Sequence, residues 1–347
     1  MVGDSYGITL GSRFELYPKR NSASSLGTFD VRNIEATQAT LRLVKNGDTS
    51  TPNKWDHAFA RPVHIRLPKH DKLKVRLSKK LDPAVAEKVL ASKDLFLHTD
   101  QDEFVFVDVV DDVKLGKIAV FRISMRHYDF KKLKLNRVVS ADSSDDISAV
   151  LHDVGHWNFH FTRAPLSRTL DVSIEFHLLK QDNFVVDGTS QTAWKPDSAK
   201  TDMNVKGVIE ITGNPDDKFG MIIVNNTSHH LYPHLCYFDV KSLVIRDYLI
   251  SADGKGEVDP PLLSKSRLAV GYGSSIVDGF RFDAVEEDEP GFFKLILTTS
   301  PTSLKLSQAP SPFPRGRGPP AQDVIPKWDV IVVKVMQSPA KKKDQLQ

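Results

Sequence analysis

Val172-Ser173-Ile174-Glu175-Phe176-His177-Leu178 places an apolar side chain at every second position and a polar one between. Successive side chains of a strand point to opposite faces, so this run reads as a strand half in a core and half toward water. The signature repeats at 208–212, 219–225, 231–238, 243–247, 267–271, 292–298 and 328–336, with turn residues between. Eight such strands bury their alternating faces most simply as two packed sheets, which predicts an antiparallel β-sandwich over 165–338.

Upstream the period changes. Leu73, Val75 and Leu77 alternate with Lys72, Lys74 and Arg76, a half-exposed strand. Asp82-Pro83 then offers an N-cap and a proline at the first helical position. With Val85, Val89 and Leu90 as its apolar stripe, a short helix is expected over 83–92. Strands follow at 104–110 and 118–123. A second helix begins after Asp142-Ser143-Ser144 and buries Ile147, Val150, Leu151, Val154 and Trp157. This order describes an α/β domain over 65–164. Before it, short alternating segments around Phe14, Phe29 and Leu41, punctuated by Gly7 and Gly11, suggest a small SH3-like β-barrel over 1–64. The expected fold class is mainly β with a central α/β unit. The stretches 45–54, 187–204 and 310–326 are too polar or too proline-rich for regular structure and read as loops or linkers. Residues 339–347, with Lys341-Lys342-Lys343, read as a disordered basic tail.

The 347 residues exceed what one hydrophobic core usually organises, in keeping with several domains. A formal charge of +3 argues against a wholesale polyanion binder, and 40% hydrophobic positions argue against disorder. One cysteine excludes an intrachain disulfide and any multi-cysteine metal site. Met1-Val2-Gly3-Asp4-Ser5-Tyr6 has neither a basic nor an apolar leader region, and no apolar run approaches the ~20 residues of a membrane span. A cytoplasmic protein is the expectation. The overlapping sequons Asn225-Asn226-Thr227 and Asn226-Thr227-Ser228 then read as a polar turn.

Few side chains suggest chemistry. His152, His156 and His160 recur every four residues, so His152 and His156 share a helix face and are candidate metal ligands. With no carboxylate or cysteine at a third-ligand spacing, the pattern reads as a solvent-facing row; no metal or other cofactor is expected. His229, His230 and His234 surround Tyr232-Pro233 beside Cys236, and Cys236 with His234 is the candidate thiol site. The apolar Leu235-Cys236-Tyr237-Phe238 favours a packed, inert thiol. Gly271-Tyr272-Gly273-Ser274-Ser275 lacks the Gly-Lys-Ser/Thr of a phosphate loop and reads as a turn. Residues 61–80 hold eight Lys or Arg against Asp71 alone, and Lys72, Lys74 and Arg76 form a stripe that an acidic partner or anionic surface would meet. Without interleaved aromatics, a solvated face is favoured over nucleic-acid binding. Glu286-Glu287-Asp288-Glu289 makes an acidic loop.

A longer pattern runs through the chain. Gly7-Ile8-Thr9-Leu10-Gly11-Ser12-Arg13-Phe14-Glu15-Leu16-Tyr17 with Leu26-Gly27-Thr28-Phe29 resembles the segment behind the catalytic domain in caspase-like (metacaspase-type) peptidases of basidiomycete fungi. Val150-Leu151-His152 through His160-Phe161, then Leu231-Tyr232-Pro233-His234-Leu235, Tyr237-Phe238-Asp239 and Val258-Asp259-Pro260-Pro261-Leu262 continue the likeness in order. Val270-Gly271-Tyr272-Gly273-Ser274, Phe293 to Thr299, Ser311-Pro312-Phe313 and Trp328-Asp329 complete it. Such peptidases carry their catalytic His and Cys in a preceding domain, and neither the His-Gly segment nor an Asp-x-Cys-[Arg/Gln]-Gly segment occurs here. No catalytic residue is carried over. The resemblance implies a non-catalytic regulatory or protein-interaction protein whose partner is a caspase-like peptidase or a second copy of itself. The alternatives are anionic-surface or nucleic-acid binding through the 61–80 stripe, and a hydrolase using Cys236 with a nearby histidine.

Overall fold

The computed structural model describes residues 10–18, 22, 24–34, 39–46, 58–64, 72–91, 95–99, 102–165, 167–186, 189–212, 214–250, 261–273, 275, 277–301 and 328–339. The stretch 310–326, most of 45–54 and the tail from 340 lie outside them. The described residues form two compact units. The first holds those up to Ala164 together with Lys241–Ile245, and the second holds Pro165–Val240, Arg246–Ser303 and 328–339.

The first unit contains two sheets. β1 (Arg13–Tyr17), β2 (Gly27–Ile34), β3 (Ala39–Asn46) and β4 (Phe59–His64) pair antiparallel in the order β3-β2-β1-β4. Phe14 and Val31 form the small core of this sheet. β3 and β4 are its edges among the described residues, and Pro62, which has no N–H to give a ladder, sits in an edge strand.

The second sheet runs β6-β5-β7-β8-β9: β5 (Leu73–Leu77), β6 (Phe96–His98), β7 (Val105–Asp112), β8 (Gly116–Met125) and β9 (Phe130–Ser140). β5 pairs parallel with β6 and β7, and β8 pairs antiparallel with β7 and β9. Between β5 and β6 lies α1 (Pro83–Leu90). The Asp82 carboxylate accepts from the Ala84 and Val85 amides at 2.8 and 3.3 Å, satisfying two donors that a helix start leaves orphaned. α2 (Ser144–Thr162) is capped by the Ser143 hydroxyl at the Asp146 amide, with Asp145 and Asp146 favourably placed in its first turn. Ile147, Val150, Leu151, Val154 and Trp157 are all buried, and Arg137 of β9 pairs with Asp153 of the helix.

β9 and β6 are additions to the expected elements. The register shifts between Val120 and Arg122 and again between Ile123 and Met125. Such irregularities break a strict alternation, and β9 is further interrupted by Lys131-Lys132 and Asn136-Arg137.

In the second unit two sheets face each other. One is β11-β10-β14-β17, from β10 (Val172–Val186), β11 (Thr189–Pro196), β14 (Lys218–Asn225) and β17 (Arg267–Val270). The other is β12-β13-β19-β18-β15-β16, from β12 (Asn204–Val205), β13 (Val208–Thr212), β15 (Tyr232–Asp239), β16 (Ile245–Leu249), β18 (Glu289–Thr298) and β19 (Trp328–Ser338). Val172, Ile174 and Phe176 of β10 and Phe219, Met221 and Ile223 of β14 share one core with Leu235, Phe293, Leu295, Leu297, Val333 and Val335 of the larger sheet. Each such side chain contributes about 1.5–3 kcal/mol by leaving water. The chain is thus mainly β, and among the described residues both α-helices lie in the first unit.

Two details correct the sequence reading. Part of 187–204 is the strand β11, hydrogen bonded along β10 from Leu179↔Pro196 to Val186↔Thr189. As an edge strand it gains its order from main-chain pairing, so its polar composition is no obstacle. The sandwich is also not wholly antiparallel: β13 pairs parallel with β19, from Val208↔Lys334 to Thr212↔Ser338. Segments so far apart in the chain are not bound by the geometry of a hairpin.

Buried Asp329 ties the start of the sandwich to its end. Its Oδ2 accepts from the Thr169 and Leu170 amides, both at 2.8 Å, and its Oδ1 from the Val330 amide. Asn225, also buried, donates from Nδ2 to the His229 and Leu263 carbonyls and accepts from the Thr227 amide. The first sequon asparagine is therefore a structural bracket, and only Asn226 is exposed.

Candidate functional site

Cys236 lies on β15, on the face turned away from the sandwich core, because Leu235 and Tyr237 point into it. That second face is buried too: Tyr232, His234, Cys236 and Phe238 of β15 and Phe292, Lys294, Ile296 and Thr298 of β18 all lie below a tenth exposure. The Cys236 thiol donates to Asp247 Oδ1 on the neighbouring β16 at 3.2 Å, and Lys294 is its direct cross-strand partner. Burial is the main force pushing the thiol well above its ordinary pKa, followed by the charge and hydrogen bond of Asp247, with Lys294 pulling the other way. A thiol held protonated in this way is a poor nucleophile.

The structure does not assemble a Cys–His pair here. His234 shares the face of Cys236 but neither ring nitrogen has a hydrogen-bond partner among the described residues. Burial lowers its pKa to about 3, so the ring is neutral. His229 and His230 are exposed in the turn before β15, where His230 Nδ1 accepts from the Ser264 amide at 3.1 Å.

The histidines of α2 correct an expectation. His156 and His160 are 4% and 1% exposed, with ring centroids 4.7 Å apart, and do not form a solvent-facing row. The helix is buried around most of its circumference, which carries this row inside as well. His152 is half-buried, packs edge-on against Phe96, and has its pKa lowered chiefly by burial. Among the described residues no three His, Cys, Asp or Glu side chains gather in a way that holds a metal ion.

The basic stripe on β5 is largely matched. Lys74 lies 3.7 Å from Asp102, and Arg76 lies 3.0 Å from Glu103 with its guanidinium over the Phe106 ring at 4.3 Å. Both acids lie just before β7, which pairs with β5, so the sheet brings together charges some 28 residues apart. The side chains of 61–71 lie outside the described residues.

Sequence reasoning missed the β7–β8 hairpin end. The Asp112 carboxylate accepts from the Lys114 and Leu115 amides, both at 2.9 Å, and Gly116 supplies a positive φ of 74°. This fixed turn presents Val113 fully to solvent and Leu115 at 67% exposure. Val110 on β7 and Val138 on β9 are also exposed large apolar side chains at this end of the sheet. A signal existed in the sequence: valine and leucine stand where Asp112-Val113-Lys114-Leu115-Gly116 makes a polar turn the norm.

Compared with protein-family models, with curated proteins and with solved structures, the chain has no match. Among the described residues no helix is long and apolar enough to cross a membrane.

Proposed function

We propose that the chain is a non-catalytic protein-interaction protein, acting in the accessory role that its resemblance to the region behind caspase-like catalytic domains implies. The observation that carries this reading is the set of exposed apolar side chains at the β7–β8 turn, Val113 and Leu115, with Val110 and Val138 on the adjoining strands. Folded chains rarely gather large apolar side chains in water unless another surface covers them. The buried Cys236, engaged with a carboxylate, gives no support to the alternative of a thiol hydrolase. The pairing of Lys74 and Arg76 with Asp102 and Glu103 likewise gives none to an anionic surface.

The test uses the purified full chain and its Val113→Asp/Leu115→Asp variant. Self-association is followed by light scattering over a range of concentrations, and binding to a purified caspase-like catalytic domain by calorimetry. Association in either assay that the double variant loses is the expected outcome. A strict monomer that ignores the peptidase domain, or association indifferent to the two substitutions, would overturn the reading.

A further inference from the structure

The outer face of the four-stranded sheet carries a second grouping, independent of the hairpin end. Phe219, Met221 and Ile223 of β14 point into the core, so Lys218, Gly220, Ile222 and Val224 point outward. On β10 the outward positions are Glu175, His177 and Leu179, and the ladder sets His177 beside Gly220 and Leu179 beside Lys218.

Gly220 is decisive. A Cβ there would meet the Tyr272 ring at 2.5 Å, so the glycine lets the ring lie directly on the backbone of an inner strand. Gly271 and Gly273, with φ of 91° and 66°, turn the chain on either side of Tyr272. The ring atoms nearest that position are Cδ1 and Cε1, and Tyr272 is half-buried. Two positions along the strand, about 7 Å away, Lys218 extends its ammonium over the ring of Trp194, 4.9 Å from the centroid. Trp194 is half-buried as well.

Polar groups stand around these rings. Arg267 of β17 donates to Glu175, and His177 Nε2 lies 3.4 Å from the same carboxylate oxygen. Lys218 Nζ lies 3.9 Å from Asp278. The Glu175–Arg267 and Lys218–Asp278 pairs balance in charge, so a polyanion finds no positive surplus here. Lys218 itself is buried, so the accessible donors and acceptors are those of Glu175, His177 and Arg267, fixed by one another near Tyr272, with Trp194 farther along the face opposite Gln181.

We propose that this face binds a neutral oligosaccharide. A pyranose with equatorial hydroxyls has apolar C–H faces that suit Trp194 and Tyr272. Its ring edge carries hydroxyls, each both donor and acceptor, that suit Glu175, His177 and Arg267.

The full chain is titrated by calorimetry with cellohexaose, laminarihexaose and chitohexaose at millimolar concentration. Saturable binding of at least one is expected, weakened roughly three- to tenfold by Trp194→Ala and by Tyr272→Ala. Gly220→Ala, which keeps both aromatics but displaces Tyr272, weakens it too. Thermal melting checks that each variant is folded. Arg267→Met, at a side chain 55% exposed, gives a further loss of affinity that does not depend on the aromatic variants folding. Silence toward all three sugars overturns the proposal, as does binding that Trp194→Ala, Tyr272→Ala and Arg267→Met leave unchanged. Retention of heparin alone, lost on raising salt, assigns the face to polyanions and overturns it equally.

Discussion

The Cys236 thiol donates to Asp247 across neighbouring strands at 3.2 Å, while Lys294 stands opposite Cys236 in the β15–β18 ladder. A fully buried sulfur with a carboxylate acceptor behaves as a structural donor. Native protein should therefore react with a maleimide or disulfide reagent only as fast as the chain opens. Adding denaturant should accelerate labelling in step with unfolding. Cys236→Ser retains a donor for Asp247, whereas Cys236→Ala removes it and should cost about 1 kcal/mol more in chemical denaturation. Rapid stoichiometric labelling of native protein would contradict this account.

His234 makes stability depend on pH. Its pKa is lowered to about 3 in the folded chain, against an ordinary value near 6.5 when unfolded. Between these values the unfolded state binds a proton that the folded state refuses. The contribution is therefore complete above pH 6.5 and is lost as pH falls toward 3. By pH 5 the loss is about 2 kcal/mol relative to pH 7. Urea midpoints at several pH values should show a shallower acid decline for His234→Leu than for the parent chain. Equal declines would place the acid sensitivity elsewhere.

Gly291, opposite Asp239 in the same ladder, has no room for a side chain: a Cβ there would overlap the Tyr237 hydroxyl. Tyr237 itself is half-buried against the sandwich core, and burial raises its pKa. Gly291→Ala should cost about 1–3 kcal/mol through overpacking. Adding Tyr237→Phe, which removes the obstructing oxygen, should recover part of that loss in the double variant. A Gly291→Ala chain that melts like the parent would show that Tyr237 moves aside freely.

Local signals were readable wherever the local chain carries the physics. The alternation of Val172 to Leu178 marks β10, and Asp82-Pro83 and Ser143 mark the helix starts, since each rests on side-chain period or a cap within four residues. β11 and β9 were hidden because edge pairing and register shifts leave little or no alternating apolar face. Leu235-Cys236-Tyr237-Phe238 already argued for an inert thiol, yet nothing near it named Asp247 as the acceptor. His156 and His160 were misplaced because a helix period says which residues share a face but not how many faces are covered.

By itself the sequence determined the mainly β class, most of the sandwich strands, both helices and the packed character of the lone cysteine. Each follows from the period of apolar side chains and from a few capping or turn residues. Only the tertiary structure decided the parallel β13–β19 pair, the ion pairs that match Lys74 and Arg76, and the laying of Tyr272 on Gly220. These depend on which distant strands become neighbours. That choice is made by burying a shared core, which in the sandwich runs from Phe176 and Phe219 to Phe293 and Val333, and is written in no single stretch of the chain.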